Sequence, residues 1–143
     1  MPTEPVALAR VAAEPITVQE CEQAVLSSRH GAVVTFAGVV RDHDDGRGVL
    51  RLAYDAHPDA PAALLAATHR VTQRWPDVRV AVAHRVGDLA VGDLALACAV
   101  ASAHRSAAFS ACAALVDDIK ATVPIWKEQT FVDGSSEWVA SLG

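Results

Sequence analysis

The chain has 143 residues, 52% of them hydrophobic and 20% charged, with a formal net charge of -5. That length predicts one domain, residues 1–143, able to bury roughly two thirds of its unfolded surface, and the composition excludes a disordered chain. An acidic balance without a basic run also excludes a nucleic-acid binder, which needs a cationic face to release counterions, so any anion site must be assembled locally from a few cations.

In chain order, Met1 to Pro5 lacks the basic flank and apolar stretch of a signal peptide, which predicts a cytoplasmic protein. Thr17 and Glu20 have capping-box spacing: the hydroxyl can accept from the backbone and the carboxylate can reach back, so a helix is predicted over 18–27. Gly31 to Arg41 is β-branched and apolar on both faces, the pattern of a central strand buried on two sides. Gly38 within it points to a bulge or a close approach. Arg41 to Gly46 reads as a polar turn and Val49 to Ala56 as a returning strand. A helix follows over 59–75, with Pro61 in its first turn and Pro76 as its stop.

Val78 to Val86 alternates as a strand, Gly87 to Asp93 reads as a turn, and Leu94 to Ser102 as a wholly apolar strand. The longest apolar run, Leu94 to Ala101, is far too short for a membrane span. Arg105 to Ala121 has a helical stripe of Ala108, Ala111, Cys112, Leu115, Val116 and Ile119. Two last strands, 124–132 and 137–139, are predicted to join at Asp133-Gly134. Alternating strands and helices predict an α/β or α+β fold around a mixed sheet. Cys21, Cys98 and Cys112 are odd in number without CxxC spacing, and read as buried free thiols.

The chemistry concentrates in cations. Lys120 and Lys127 bracket the segment 121–126, where a helix gives way to a strand. Ile125 and Trp126 are expected to bury and to hold Lys127 against apolar surface, which lowers an amine's pKa towards the range useful for proton transfer or attack. His104 and Arg105 open a helix, where free N–H groups already favour an anion. Arg41, at a strand end, is a further candidate. His84-Arg85 fits a structural turn with Val86, Gly87 and Asp88 and is assigned no catalytic role. The six histidines show no HxxxH or HxH spacing, so no metal and no resident cofactor are expected. GxxxxGK[ST], GxGxxG and GxSxG elements are absent.

From Ile16 to Val139 the chain resembles the large, catalytic subunit of molybdopterin synthase, through Phe36 to Arg41 (FAGVVR), His84 to Gly87 (HRVG), Ser102 to Arg105 (SAHR), Lys120 and Pro124 to Lys127 (PIWK) in order. The resemblance implies an α/β hammerhead fold and conversion of cyclic pyranopterin monophosphate, precursor Z, to molybdopterin by addition of two sulfurs. The sulfur donor would be the C-terminal Gly-Gly thiocarboxylate of a small ubiquitin-like subunit, carried by each protomer of a homodimer to make a heterotetramer. Lys120 and Lys127 would be catalytic, as acid/base or as amine nucleophile. Arg41, Val39, Val40, His104, Arg105, Glu128 and Gln129 would bind substrate. Both reactants are anions, which explains the cations on electrostatic grounds alone.

The chain departs from the family at Asp55, at Ala60-Pro61, at Gln129 where an acidic residue is usual, and in having no Lys or Arg after Lys127. A non-catalytic anion- or pterin-binding module of the same fold is one alternative, and a lysine-dependent Schiff-base enzyme another. Sixteen residue steps separate His104 from Lys120, roughly 24 Å of helix. Both ends can serve one pterin only if one end comes from a neighbouring protomer, which predicts a two-fold dimer with shared sites.

Overall fold

The computed structural model describes residues 4–140. Residues 1–3 and 141–143, on which the readings of the N-terminus and of the tail partly rest, lie outside the described residues. In chain order the elements are β1 (Val6–Ala12), α1 (Val18–Val25), β2 (Ala32–Val39), β3 (His43–Asp44), β4 (Arg47–Ala56), α2 (Ala60–Arg74), β5 (Arg79–Arg85), β6 (Gly87–Ala90), β7 (Leu94–Ser102), α3 (Arg105–Thr122), β8 (Ile125–Phe131) and β9 (Ser136–Ala140).

The apolar run of β7 becomes one of the two inner strands of the main sheet, whose order is β1-β5-β7-β2. β1 runs parallel to β5, while β5 and β2 flank β7 antiparallel, so this sheet is mixed as expected. On one face, Ala81, Ala83, Ala97, Ala99 and Ala101 form a flat floor on which α1 sets Cys21 and Val25. Alanines there let the short helix approach closely. On the other face Val80, Val82, Cys98 and Val100 meet Leu64 of α2 and Leu115 and Ile119 of α3. A second, antiparallel sheet, β3-β4-β8-β9 with β6 also on β4, joins this core through Leu52, Tyr54 and Ile125. None of the described helices is long and apolar enough to cross a membrane.

Several expectations are corrected. The segment predicted as a central strand is β2, at the edge of the sheet, with Val33, Thr35, Ala37 and Val39 exposed. The buried strands are β7 and also β5, which reads as alternating yet is covered on both faces from Val80 to His84. Gly87 to Ala90 is strand β6 rather than turn, and the bend falls at Val91-Gly92, where Gly92 has φ +92. The polar segment after Arg41 is a hairpin, β3 to β4, with Asp45 (φ 52) and Gly46 (φ 76) at its tip. Positive φ at both central residues is what a two-residue turn between twisted strands requires. β1 was not anticipated, and α1 stops at Val25. Thr17 does accept from the Glu20 N–H at 3.1 Å, but the Glu20 carboxylate is held by Arg10 at 2.6 Å instead of reaching back.

All three cysteines are free and buried. Burial, with Glu20 adjacent, pushes the Cys21 thiol up to about 11, which removes it from thiolate chemistry at neutral pH.

Candidate active site

Five elements converge on a cavity of about 410 Å³, with β7 contributing Ala95 and Leu96 to its wall. The end of β2 supplies Gly38 and Val39, with Arg41 just beyond it. β4 supplies Tyr54, the last turn of α3 supplies Lys120, and β8 supplies Lys127. The predicted irregularity at Gly38 is present as a register shift between Gly38 and Val39. A Cβ on Gly38 would stand 3.3 Å from Phe36 Cε1 and 3.4 Å from Leu96 Cβ, so glycine leaves the cavity floor open.

β8 decides which side chains face this space. Ile125, Gln129 and Phe131 are buried on the face that Lys127 shares, whereas Trp126 and Glu128 point the other way. Trp126 is therefore 39% exposed, against the expectation that it buries, while Ile125 is fully buried. Lys127 lies half-buried opposite Tyr54 in the strand register. Burial lowers its pKa below the ordinary lysine value, and the charges of Arg41 and Lys120 push the same way, against Asp44 and Glu137.

Asp44 was missed by sequence reasoning because it reads as one of several turn acids. It accepts from Gln129 Nε2 at 2.7 Å and from Arg41 Nη2 at 3.4 Å. Its carboxyl is held below the usual range, first by the Gln129 hydrogen bond. Gln129 is buried and also donates to Glu137 at 3.3 Å. An amide at this position can donate to two carboxylates, which an ionised acid cannot. Carboxylates thus remain beside Lys127 although residue 129 is neutral.

The other predicted site residues lie elsewhere in the chain. Val40 is a core residue whose backbone bonds to Asp93 and Gly92 at 3.0 and 2.9 Å, so its side chain does not line the cavity. Glu128 lines a separate surface hollow with Arg51 and Asp88. His104 and Arg105 are exposed at the far end of α3, with His104 as its N-cap. The His104 N–H donates to Ser102 Oγ at 3.4 Å, and that hydroxyl donates to Asp77 at 2.9 Å. Within one protomer the structure brings Val39, Arg41, Lys120 and Lys127 together and leaves His104 and Arg105 apart. Tyr54 is a cavity residue the sequence did not single out, and its strand pairing with Lys127 is the signal that finds it.

Comparison with known proteins shows which family the chain belongs to. The molybdopterin synthase catalytic subunit of Nostoc sp. is 38% identical over 128 residues, spanning 88% of this chain and 78% of that protein. Molybdopterin synthase catalytic subunit 1 of Mycobacterium tuberculosis is 39% identical over 131 residues, 91% and 88% of the two chains. The crystal structure of molybdopterin synthase from Staphylococcus aureus superposes with a TM-score of 0.87 at 32% identity, covering 92% of this chain and 96% of that one. The family model described as MoaE protein matches residues 11–122, and the chain belongs to that family.

Proposed function

We propose that this chain is the catalytic subunit of a molybdopterin synthase, converting precursor Z to molybdopterin with sulfur from the Gly-Gly thiocarboxylate of a small ubiquitin-like subunit. The observation that carries the reading is the convergence of Arg41, Lys120 and Lys127 on one cavity of an otherwise acidic protein. A phosphate and a thiocarboxylate repel each other in water, and three cations around one space lower the cost of bringing them together. Burial that weakens the Lys127 proton suits it to proton transfer or amine attack, while Arg41 is suited to forked binding of a phosphate. A cytoplasmic setting fits three buried, unpaired thiols.

The working unit in this reading is a homodimer with a small subunit on each protomer, and each reaction centre is shared. Support comes from β2, whose outer edge pairs with no described strand and whose neighbourhood exposes Val33, Val39 and Phe109. A second copy added antiparallel along this edge sets the Ala32 end of one β2 beside the Val39 end of the other. Ala32 pairs with Ser102, so His104 and Arg105 follow directly from that end. The two ends are about 23 Å apart at the rise of a strand, matching the length of α3. An apolar groove between Thr35, Phe36, Phe109 and Val116 lies midway, where the two-fold axis would pass.

The test is conversion of precursor Z by the purified protein and a thiocarboxylated small subunit. Molybdopterin formation is the expected result. A stable complex that binds precursor Z without forming product would mark the non-catalytic module, and borohydride trapping of a carbonyl substrate on a lysine would mark the Schiff-base enzyme.

A further inference from the structure

The segment His84 to Gly87 has no part in the cation set, yet it carries the chain from the main sheet into the second one. His84, the next-to-last residue of β5, is fully buried, and Gly87 opens β6. Gly87 is the register partner of Tyr54, which has Lys127 as its partner on the other side. The His84 ring meets the Tyr54 ring edge to face, with centroids 5.1 Å apart and planes at 86°. His84 Nδ1 lies 2.7 Å from the Arg85 carbonyl, which can only accept, so Nδ1 carries the proton. Its Nε2 is buried without a hydrogen-bond partner among the described residues. Arg85 pairs with Asp93 at 3.4 Å, and Asp93 accepts from the Ala90 N–H at 2.9 Å, which ties down the segment beyond.

Both ends of this segment, the His84 ring and Gly87, bear on Tyr54. The tyrosine is 8% exposed and lines the cavity between Phe36 and the two lysines. Burial alone accounts for the shift of its phenol above the ordinary value, with no hydrogen bond contributing. A buried tyrosine ring whose hydroxyl has no hydrogen-bond partner among the described residues, in a cavity lined by three cations, is suited to donating to an anion there.

We propose that Tyr54 is a further substrate-contacting residue of this cavity, its hydroxyl a neutral hydrogen-bond donor to the anion held by Arg41, Lys120 and Lys127, and that His84 is the positioning residue that fixes its ring. The identity of the anion rests on the proposed sulfur transfer, while the contact itself requires only an anion in the cavity. A neutral donor complements the cations because it takes a directed bond without adding to the repulsion among them.

Tyr54 is the sole tyrosine of the chain, so replacing tyrosine by 3-fluorotyrosine gives a single fluorine resonance. Titrating the labelled full-length protein with inorganic phosphate at neutral pH is expected to move that resonance saturably, and Arg41→Ala is expected to abolish the movement. Tyr54→Phe should weaken phosphate binding about tenfold, the scale of one hydrogen bond to a charged group. His84→Asn keeps the donor to the Arg85 carbonyl and removes the ring. It should blunt the fluorine response, and His84→Phe, which restores a ring, should recover it. Native phosphate affinity in Tyr54→Phe overturns the proposal, as does a fluorine resonance indifferent to phosphate or a native protein that binds none. Equal responses in both His84 variants remove His84 from it. Phosphate binding with the expected fluorine shift but no sulfur transfer would uphold Tyr54 and refute the reaction.

Discussion

In the proposed reaction Lys127 is the residue on which the chemistry turns. Lys127→Ala is predicted to lower sulfur transfer by two or more orders of magnitude, about 3 kcal/mol of transition-state stabilisation, with the fold intact by circular dichroism. Lys127→Arg should not recover the activity, because a guanidinium stays protonated. Near-native turnover in either variant at saturating small subunit would make Lys127 structural. Among the charges around this amine, Asp44 and Glu137 favour the proton while Arg41 and Lys120 oppose it. Asp44→Asn should therefore move the lysine's titration, read as the limb of the kcat/KM pH profile that this amine sets, to still lower pH. If the limb set by the amine stays where it is, Asp44 does not act on Lys127. His84 makes a separate prediction about stability. Burial lowers its pKa from 6.5 to about 4, so the folded protein refuses a proton that the unfolded chain accepts between those values. The stability this contributes is fully present above 6.5 and is lost as pH falls towards about 4, by on the order of 3 kcal/mol. Urea midpoints of native protein and His84→Phe across this range should differ in slope, and parallel curves would contradict the assignment.

At the scale of elements, the edge of β2 carries the prediction. Thr35→Lys puts a charge at the middle of the exposed edge, a device that blocks strand addition. The variant is expected to run as a monomer by light scattering and to lose sulfur transfer, since His104 and Arg105 can no longer reach a second cavity. A dimeric, active Thr35→Lys would place the interface elsewhere. The same strand explains where sequence reasoning stops. Apolar residues on both faces of Gly31 to Arg41 read identically for a strand covered by its own chain and for one whose outer face is left open, so burial by a second molecule is invisible in the pattern. β1 escaped because Val6 to Ala12 interleaves arginine and alanine and gains its stability from pairing with β5, a contact some seventy residues away in sequence. α3 and β7 were legible because their signals are local, a helical stripe and an unbroken apolar run. For the site, the cations were legible as residue types in a known order. Asp44 and Tyr54 were not, because what marks them is a hydrogen bond and a strand register that only the fold creates.

For the whole molecule, the proposed function asks an acidic protein to concentrate positive charge where two anions meet, and to obtain part of that charge from a second copy of itself. The small subunit has to present an extended tail to the cavity. Deleting its last two residues should abolish sulfur transfer while leaving much of the complex formed by gel filtration, and loss of all binding would put the affinity in the tail. The most direct test of the shared centre is to mix Arg105→Ala chains with Lys127→Ala chains, each inactive alone, and to measure molybdopterin formation once mass spectrometry has confirmed subunit exchange. Shared centres predict that each mixed dimer holds one intact site and one doubly damaged site, so activity returns to a substantial fraction of native. Exchange without any recovery would mean that every site carries one lesion and is built within a single chain, which would contradict the account.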